Sequence, residues 1–468
     1  MQLTQTKPTA STGKSGSYVP FAASGSYPVR TGNAVRPLVD GEPAFRRICE
    51  AIEAARHSAW LTITFLWPDC TMPDARGSLF DVLDRAVERG LDVRVIFWRH
   101  NPESSGFGHT FWGSQADREM LRARGSRFRA RWDRAHGAYC QHQKAWIVDA
   151  GQPSETAFVG GINPNPHSVV LPGHVGEGHN HDVYVEVAGP AATDVHHNFV
   201  QRWNEASERT ADDGLWAHDG DDALIFPARL SRQRGESLVQ IQRTVHATRY
   251  SDGHPSPEGQ PFDICGGERS IFEQYLLAIN AARRSIYIEN QALRVPAIIE
   301  KLDDALKRGV EVVALVPGEP EEWVRTARRQ SEHRGLFDQL AALHSHERFA
   351  LVGIAGPDGS GGRNAVYIHA KIMLIDDAWA TIGSCNLHNG SLFGHTEMNA
   401  SFWDPKVVRA LRCELLAEHL DRPTDDLDDR AALALYRQLA RDNWRKRDAG
   451  DFNWQGLAFS LDPATYGE

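Results

Sequence analysis

The chain of 468 residues has no long apolar run, few lysines, no paired cysteines and no excess of positive charge, and each shortage excludes something. Its longest nearly continuous apolar stretch, residues 61–67, falls far short of the roughly 20 residues a membrane-spanning helix needs, so no transmembrane helix is expected. The N-terminus lacks the apolar core of a secretory signal. Its Ser-, Gly- and Pro-rich composition over residues 1–32 predicts a flexible arm, and a cytoplasmic or peripheral-membrane location follows. With 51 Lys+Arg against 61 Asp+Glu the net charge is −10, which argues against a nonspecific nucleic-acid binder. The six cysteines (Cys49, Cys70, Cys140, Cys265, Cys385, Cys413) contain no CxxC pair, so neither a zinc ribbon nor a disulfide framework is indicated. At 41% hydrophobic and 24% charged residues, the chain reads as a soluble globular protein with two or three domain-sized cores.

What is present is a duplication. Sliding the chain by 227 positions lays AIEAARHS (51–58) on AINAARRS (278–285). In each half a helical pattern leads into a strand-like run (AWLTITF; SIYIENQ). A second helix then ends at Gly90 or Gly309 before the strands VRVIFW and VEVVALV. This is βαβ grammar, predicting two duplicated α/β domains over residues 33–204 and 266–421. The Asp/Gly/Pro/Ser-rich residues 205–265 read as a connecting segment. Its acidic cluster (Asp212, Asp213, Asp219, Asp221, Asp222) lacks EF-hand spacing and reads as a solvated loop. Residues 422–468 form a charged tail with a helix expected near 428–447.

The same register carries the chemistry. Residues 142–149 read HQKAWIVD and residues 369–376 read HAKIMLID, giving His-x-Lys-x4-Asp twice, 227 positions apart. With eight lysines in the chain, one such match is expected by chance about 0.03 times. His142 and Lys144 are two apart and share one face of a buried strand, as do His369 and Lys371. Asp149 and Asp376, at an odd offset, fall on the other face at the strand end and read as structural. Each motif is followed by a small-residue segment ending in asparagine, Gly160-Gly161-Ile162-Asn163 and Gly383-Ser384-Cys385-Asn386. Paired imidazoles, ammoniums and amides meeting across a pseudo-twofold suit a tetrahedral phosphodiester. One imidazole attacks phosphorus, the other protonates the leaving alkoxide, and Lys and Asn stabilise the equatorial oxygens. The scheme calls for no metal or other cofactor. His167, His174, His179 and His181 cluster in sequence without metal-ligand spacing on one helix face. Each reactive imidazole needs a carboxylate on its second nitrogen. Asp182 and Glu397 are the candidates, 40 and 28 positions after their histidines, so spacing alone does not select them.

These motifs resemble the phospholipase D superfamily, and HDV at 181–183, DVHHNFVQRWN at 194–204 and IYIENQ at 286–291 resemble blocks of its eukaryote-type catalytic region. The resemblance covers roughly residues 33–421. It implies two α/β sandwich domains with the active site at their interface and a covalent phosphohistidine resolved by water or an alcohol. His142 and His369 then act as nucleophile and general acid/base, with His142 the expected nucleophile. Lys144, Lys371, Asn163 and Asn386 bind phosphate, and Asp182 and Glu397 orient the histidines. The pattern departs at NLHNGS, where Gly390 stands in place of an arginine. The resemblance implies a phospholipase D releasing phosphatidic acid and headgroup from phosphatidylcholine-like lipids, with transphosphatidylation; cardiolipin or phosphatidylserine synthesis is the alternative, and a metal-independent nuclease a more distant one. The expected partners are a phospholipid at a membrane surface and a water or alcohol acceptor, with no nucleic acid and a monomeric chain. The loop 164–180 and the aromatics Phe107, Phe111 and Trp112 are candidate membrane rims, while Glu289, Asn290 and Gln291 either line the cleft or cap a strand.

Overall fold

The duplicated sequence builds the same strand order twice in the computed structural model, which describes residues 18–101, 109–218 and 221–468. In the first half, hydrogen-bonded neighbours run Arg129–Asp133, Asp92–Trp98, Ser58–Ile63, Lys144–Val148, Thr156–Gly160, Val183–Ala188 and Arg30–Val39. The first two junctions are parallel and the rest antiparallel. The second half repeats this with Phe349–Pro357, Glu311–Leu315, Ser285–Asn290, Lys371–Ile375, Trp379–Gly383, Glu397–Trp403 and Ser237–Val245. Parallel neighbours need a crossover, and the helices Leu79–Glu88 and Pro296–Lys307 supply the first one in each half. Both run into a glycine at positive φ, Gly90 at 88° and Gly309 at 86°, a conformation glycine adopts without a Cβ clash.

The strand period of two sorts each motif strand between two cores. Ala145 and Ile147, like Ile372 and Leu374, join a central core shared by both halves. Trp146 and Val148 face the helices of the first half, and Met373 and Ile375 those of the second. The sheets therefore meet face to face over the central core. They also join at one edge, where Arg30 pairs with Val239 and Asn33 with Ser237. The beginnings of the motif strands consequently open at the seam between the halves.

Three boundaries differ from the sequence-based expectation. Residues 237–245, assigned to the connecting segment, are a strand of the second sheet. Their alternation was masked because Gln240, Gln242 and Arg243 are buried, with Arg243 paired to Glu268 at 3.0 Å. Residues 18–29, assigned to the flexible arm, pack on the second half: Ala22 N donates to Gln274 Oε1 (2.8 Å), Trp403 Nε1 donates to the Val19 carbonyl (2.8 Å), and Tyr27 is buried. The tail forms the helix Asp429–Asp448 and then the strand Ala458–Leu461, which pairs antiparallel with Phe349–Pro357 and so belongs to the second sheet.

Candidate active site

The site is assembled from strand ends. Asp149 ends its strand at φ 55° and accepts the backbone N–H groups of Arg56, His57 and Ser58; Asp376, also at φ 55°, accepts those of Arg283, Arg284 and Ser285. The donors lie in the turns of the repeated AAR-x-S segments, so each motif aspartate clamps the helix-to-strand turn of its own half. These contacts hold the motif strand in register and lie away from the cleft.

At the other end of each strand the reactive groups converge. His142, His369, Asn163 and Asn386 line one open cleft of about 600 Å³, walled by Phe65, Trp67, Trp98, Tyr367 and Glu321. Lys144 and Lys371 lie buried beneath, and each Nζ donates to the carbonyl of the histidine two residues before it, at 2.8 Å for Lys144. The side-chain oxygens of Asn163 and Asn386 are buried without a hydrogen-bond partner in the protein.

The carboxylates cross over. His142 Nδ1 meets Glu397 Oε2 at 2.9 Å, and His369 Nδ1 meets Asp182 Oδ2 at 2.5 Å, so each half holds the histidine of the other. Sequence spacing hid this equivalence, because the loop before Asp182 is longer than its counterpart before Glu397. The strand pairing reveals it: Tyr184 lies opposite Gly160 as Asn399 lies opposite Gly383, which places Asp182 and Glu397 two residues earlier on matching strands. With Nδ1 engaged by a carboxylate, each Nε2 is left for the cleft.

Burial sets the electrostatics. Both histidines are pushed well below the usual imidazole value, first by burial and then by the ammonium groups of Lys144 and Lys371. The same burial lowers Lys144 to about 7 and Lys371 to about 8, and raises Asp182 to about 7 and Glu397 above its ordinary value. Neutral imidazoles beside marginally charged ammoniums form a pocket whose stored unfavourable charge an incoming phosphodiester anion relieves.

Several contributors escaped the sequence reading. Ser384 Oγ (2.5 Å) and Ser391 Oγ (2.6 Å) both donate to Glu397. His388 and His395 line the cleft beside His142, and a Cβ on Gly390 would come within 3.0 Å of both rings, so the position of the missing arginine is flanked by imidazoles. Of the IYIENQ block, Gln291 lines the cleft, Asn290 accepts Leu387 N (2.9 Å) and so positions the segment after Asn386, and Glu289 is buried against His181. Of the expected aromatic rim, Phe107 lies outside the described residues. Phe111 is a core residue packed on Phe80 and Phe97, so its apolar character serves folding rather than a surface. The loop 164–180 does expose Leu171 (62%) and Val175 (66%). Asp213 and Asp222 of the acidic cluster pair with Arg99 and Arg94.

Each half of the duplicated α/β fold contributes a His and an Asn to one cleft and a buried Lys beneath it, with the carboxylates crossed between the halves. A family model described as "Cardiolipin synthase, PLD-like domain" matches residues 48–203 and 275–418, more than half of the chain, and one described as "Phospholipase D" matches residues 170–295. The chain belongs to the phospholipase D superfamily. It is 26% identical over 375 residues to Cardiolipin synthase A of Pseudomonas entomophila, covering 78% of this chain and 64% of the relative. It is 24% identical to Phospholipase D A of Dictyostelium discoideum, covering 80% of this chain and 33% of the relative. The crystal structure of a phosphatidylserine synthase from Haemophilus influenzae shares the fold, with a TM-score of 0.55 at 13% identity over 89% of this chain and 95% of that one.

Proposed function

We propose that the enzyme cleaves the phosphodiester of a glycerophospholipid and passes the phosphatidyl group to an alcohol, as a phosphatidyltransferase of the cardiolipin synthase kind. The observation that carries the chemistry is the crossed pair of carboxylate-held imidazoles in one cleft. His142 Nε2 attacks phosphorus as the bond to the leaving alkoxide breaks, and His369, which takes up a second proton on Nε2 when the bound phosphodiester anion offsets the nearby ammonium charge, delivers that proton to the alkoxide. The acceptor hydroxyl then gives its proton to His369, attacks the phosphohistidine, and breaks the P–N bond to free His142. Lys144, Lys371, Asn163 and Asn386 hold the equatorial oxygens. The similarity to a cardiolipin synthase supports a lipid alcohol as acceptor.

A second reading, hydrolysis with headgroup exchange on a choline-type lipid, is favoured by the cleft walls. Phe65, Trp67, Trp98, Tyr367 and Glu321 suit a quaternary ammonium, and no Arg or Lys is among the described residues lining the cleft. In either case the exposed Leu171 and Val175 would meet the lipid surface. No helix among the described residues is long and apolar enough to cross a membrane.

The test is incubation with phosphatidylglycerol or phosphatidylcholine vesicles, with and without a primary alcohol, following cardiolipin, phosphatidyl-alcohol and free headgroup. Cardiolipin from phosphatidylglycerol supports the first reading. Choline release without cardiolipin replaces it with the second. Turnover of neither lipid, with His142→Ala as the blank, defeats both.

A further inference from the structure

A second cluster of buried polar groups lies behind Asp182, outside the reactive cleft. Asp40 follows the first strand of the first half, His174 lies in the loop 164–180, His181 precedes Asp182, and Glu418 projects from the helix Pro405–Leu420 of the second half. His181 Nδ1 lies 2.9 Å from Asp40 Oδ1 and 3.3 Å from His174 Nε2. His174 Nε2 lies 3.4 Å from both Asp40 Oδ1 and Glu418 Oε1. The four atoms all fall within 4.8 Å of one another.

Three of the four groups carry other contacts as well, since Glu418 Oε1 accepts the Gly173 N–H (2.7 Å) and His181 lies between Asp40 and Glu289. Glu289 accepts the Tyr287 hydroxyl through Oε1 (2.7 Å) and faces His181 Nε2 through Oε2 (3.0 Å), so the carboxylate takes the His181 ring proton on Nε2. Burial disfavours charge on His181, but Asp40 and Glu289 outweigh it and, without an ion, hold the ring protonated on both nitrogens; a metal ion would take the place of the Nδ1 proton. His174 Nε2 faces the same Asp40 oxygen and the Glu418 carboxylate. Asp40 Oδ2 and His174 Nδ1, on side chains that are essentially fully buried, have no partner in the protein. The four converging atoms are different ones, Asp40 Oδ1, His174 Nε2, His181 Nδ1 and Glu418 Oε1, and they surround a point that a single divalent cation could occupy.

The geometry points to which cation. We propose that Asp40, His174, His181 and Glu418 form a tetrahedral zinc site that ties the loop before Asp182 to the second half. Zinc bonds to imidazole nitrogen and carboxylate oxygen of about 2.0–2.1 Å imply tetrahedral edges of about 3.3–3.4 Å, and four of the six edges here measure 2.9, 3.3, 3.4 and 3.4 Å, the other two lying within 4.8 Å. Two imidazoles exclude a dedicated calcium or magnesium cage, whose ligands are all oxygens. The Glu289 carboxylate on the far nitrogen of His181 is the outer partner that a metal-bound histidine ordinarily has. No sequence motif announces the site because its ligands come from four separate segments. The role is positional: the ion fixes the residue next to Asp182, and therefore the carboxylate that holds His369.

The test uses the full chain, without a histidine tag, produced in zinc-supplemented medium. Elemental analysis is expected to find one zinc per chain. Stripping with a strong chelator is expected to lower Tm, zinc to restore it, and cobalt substitution to give the intense visible bands of four-coordinate Co2+. His174→Ala and Glu418→Gln are expected to lose the metal and the zinc-dependent part of Tm. Wild-type protein that contains no metal, and whose Tm does not rise with added zinc, overturns the proposal. So does metal retained in His174→Ala but lost in His419→Ala, which would place the ion on the neighbouring His181, Glu289 and His419 group.

Discussion

The two reactive histidines occupy equivalent places in duplicated halves, yet the carboxylates that hold them are supported differently. Glu397 collects two serine hydroxyls besides His142, from Ser384 and Ser391. Asp182 takes one backbone N–H, from Val183 at 2.8 Å, besides His369. Where the second half has Ser384 the first has Gly161, and a Cβ there would sit 2.4 Å from Asp182 Oδ1. The shorter carboxylate therefore packs against bare backbone, while the longer one is met by a hydroxyl. The three hydrogen bonds fix the Glu397 carboxylate against His142 Nδ1, although burial still raises its pKa above the ordinary value, and they leave Nε2 of His142 directed at the cleft. That asymmetry favours His142 as nucleophile, and His369 as the group that gives and takes the proton.

The largest effect that can break this assignment comes from the histidines. His142→Ala is expected to lower turnover at least about 10³-fold on a phospholipid and on a nitrophenyl phosphodiester alike, because no covalent adduct forms. His369→Ala is expected to fall about 10²–10⁴-fold on the phospholipid, but to regain a burst of nitrophenol from the activated ester, whose leaving group needs no proton. A burst from His142→Ala instead would reverse the roles.

Next in size is the crossing itself. Glu397→Gln and Asp182→Asn are each expected to cost about 10²–10⁴-fold in kcat by losing the carboxylate that sets the ring tautomer. Ring-nitrogen NMR sharpens the comparison: Glu397→Gln should remove the strongly deshielded Nδ1–H signal of His142, and Asp182→Asn that of His369. Loss in the opposite order would mean that each half holds its own histidine.

The residues that converge on the cleft were legible in the sequence and their wiring was not, for a physical reason. His142, Lys144, His369 and Lys371 lie on strands, whose period of two turns spacing into a shared face, and the duplication removed chance as an explanation. The seam, by contrast, is made of contacts between segments far apart in sequence, such as Glu397 on His142, and no spacing encodes these. The strand Ser237–Val245 was missed because it carries buried, paired polar residues where a sheet edge joins the other half. Phe111 was misplaced because an aromatic in a loop reads the same whether it faces lipid or core.

The hydroxyl support of Glu397 is worth less than the carboxylate itself. Ser384→Gly makes the second half imitate the first and is expected to lower kcat about ten-fold, the scale of one hydrogen bond to a charged group. Gly161→Ser does not give the mirror image. Its Cβ would press on Asp182, so a larger loss in kcat is expected, with a fall in Tm that Ser384→Gly lacks.

The smallest effect separates the two lysines. Both are needed charged, and burial lowers Lys144 to about 7 and Lys371 to about 8. Because the proton is lost as pH rises, kcat/KM of the free enzyme is expected to fall on the alkaline side beginning near pH 7. The acid side should hold below pH 6.5, since burial and the two ammonium groups keep His142 neutral there. A guanidinium keeps its proton throughout, so Lys144→Arg, at whatever cost in maximal rate, should move the alkaline fall upward by about one unit, to where Lys371 loses its charge. Lys371→Arg should leave that fall where it is, because Lys144 still titrates first. Equal shifts in the two variants would mean that the halves share their charge evenly, and the asymmetry would then stop at the carboxylates.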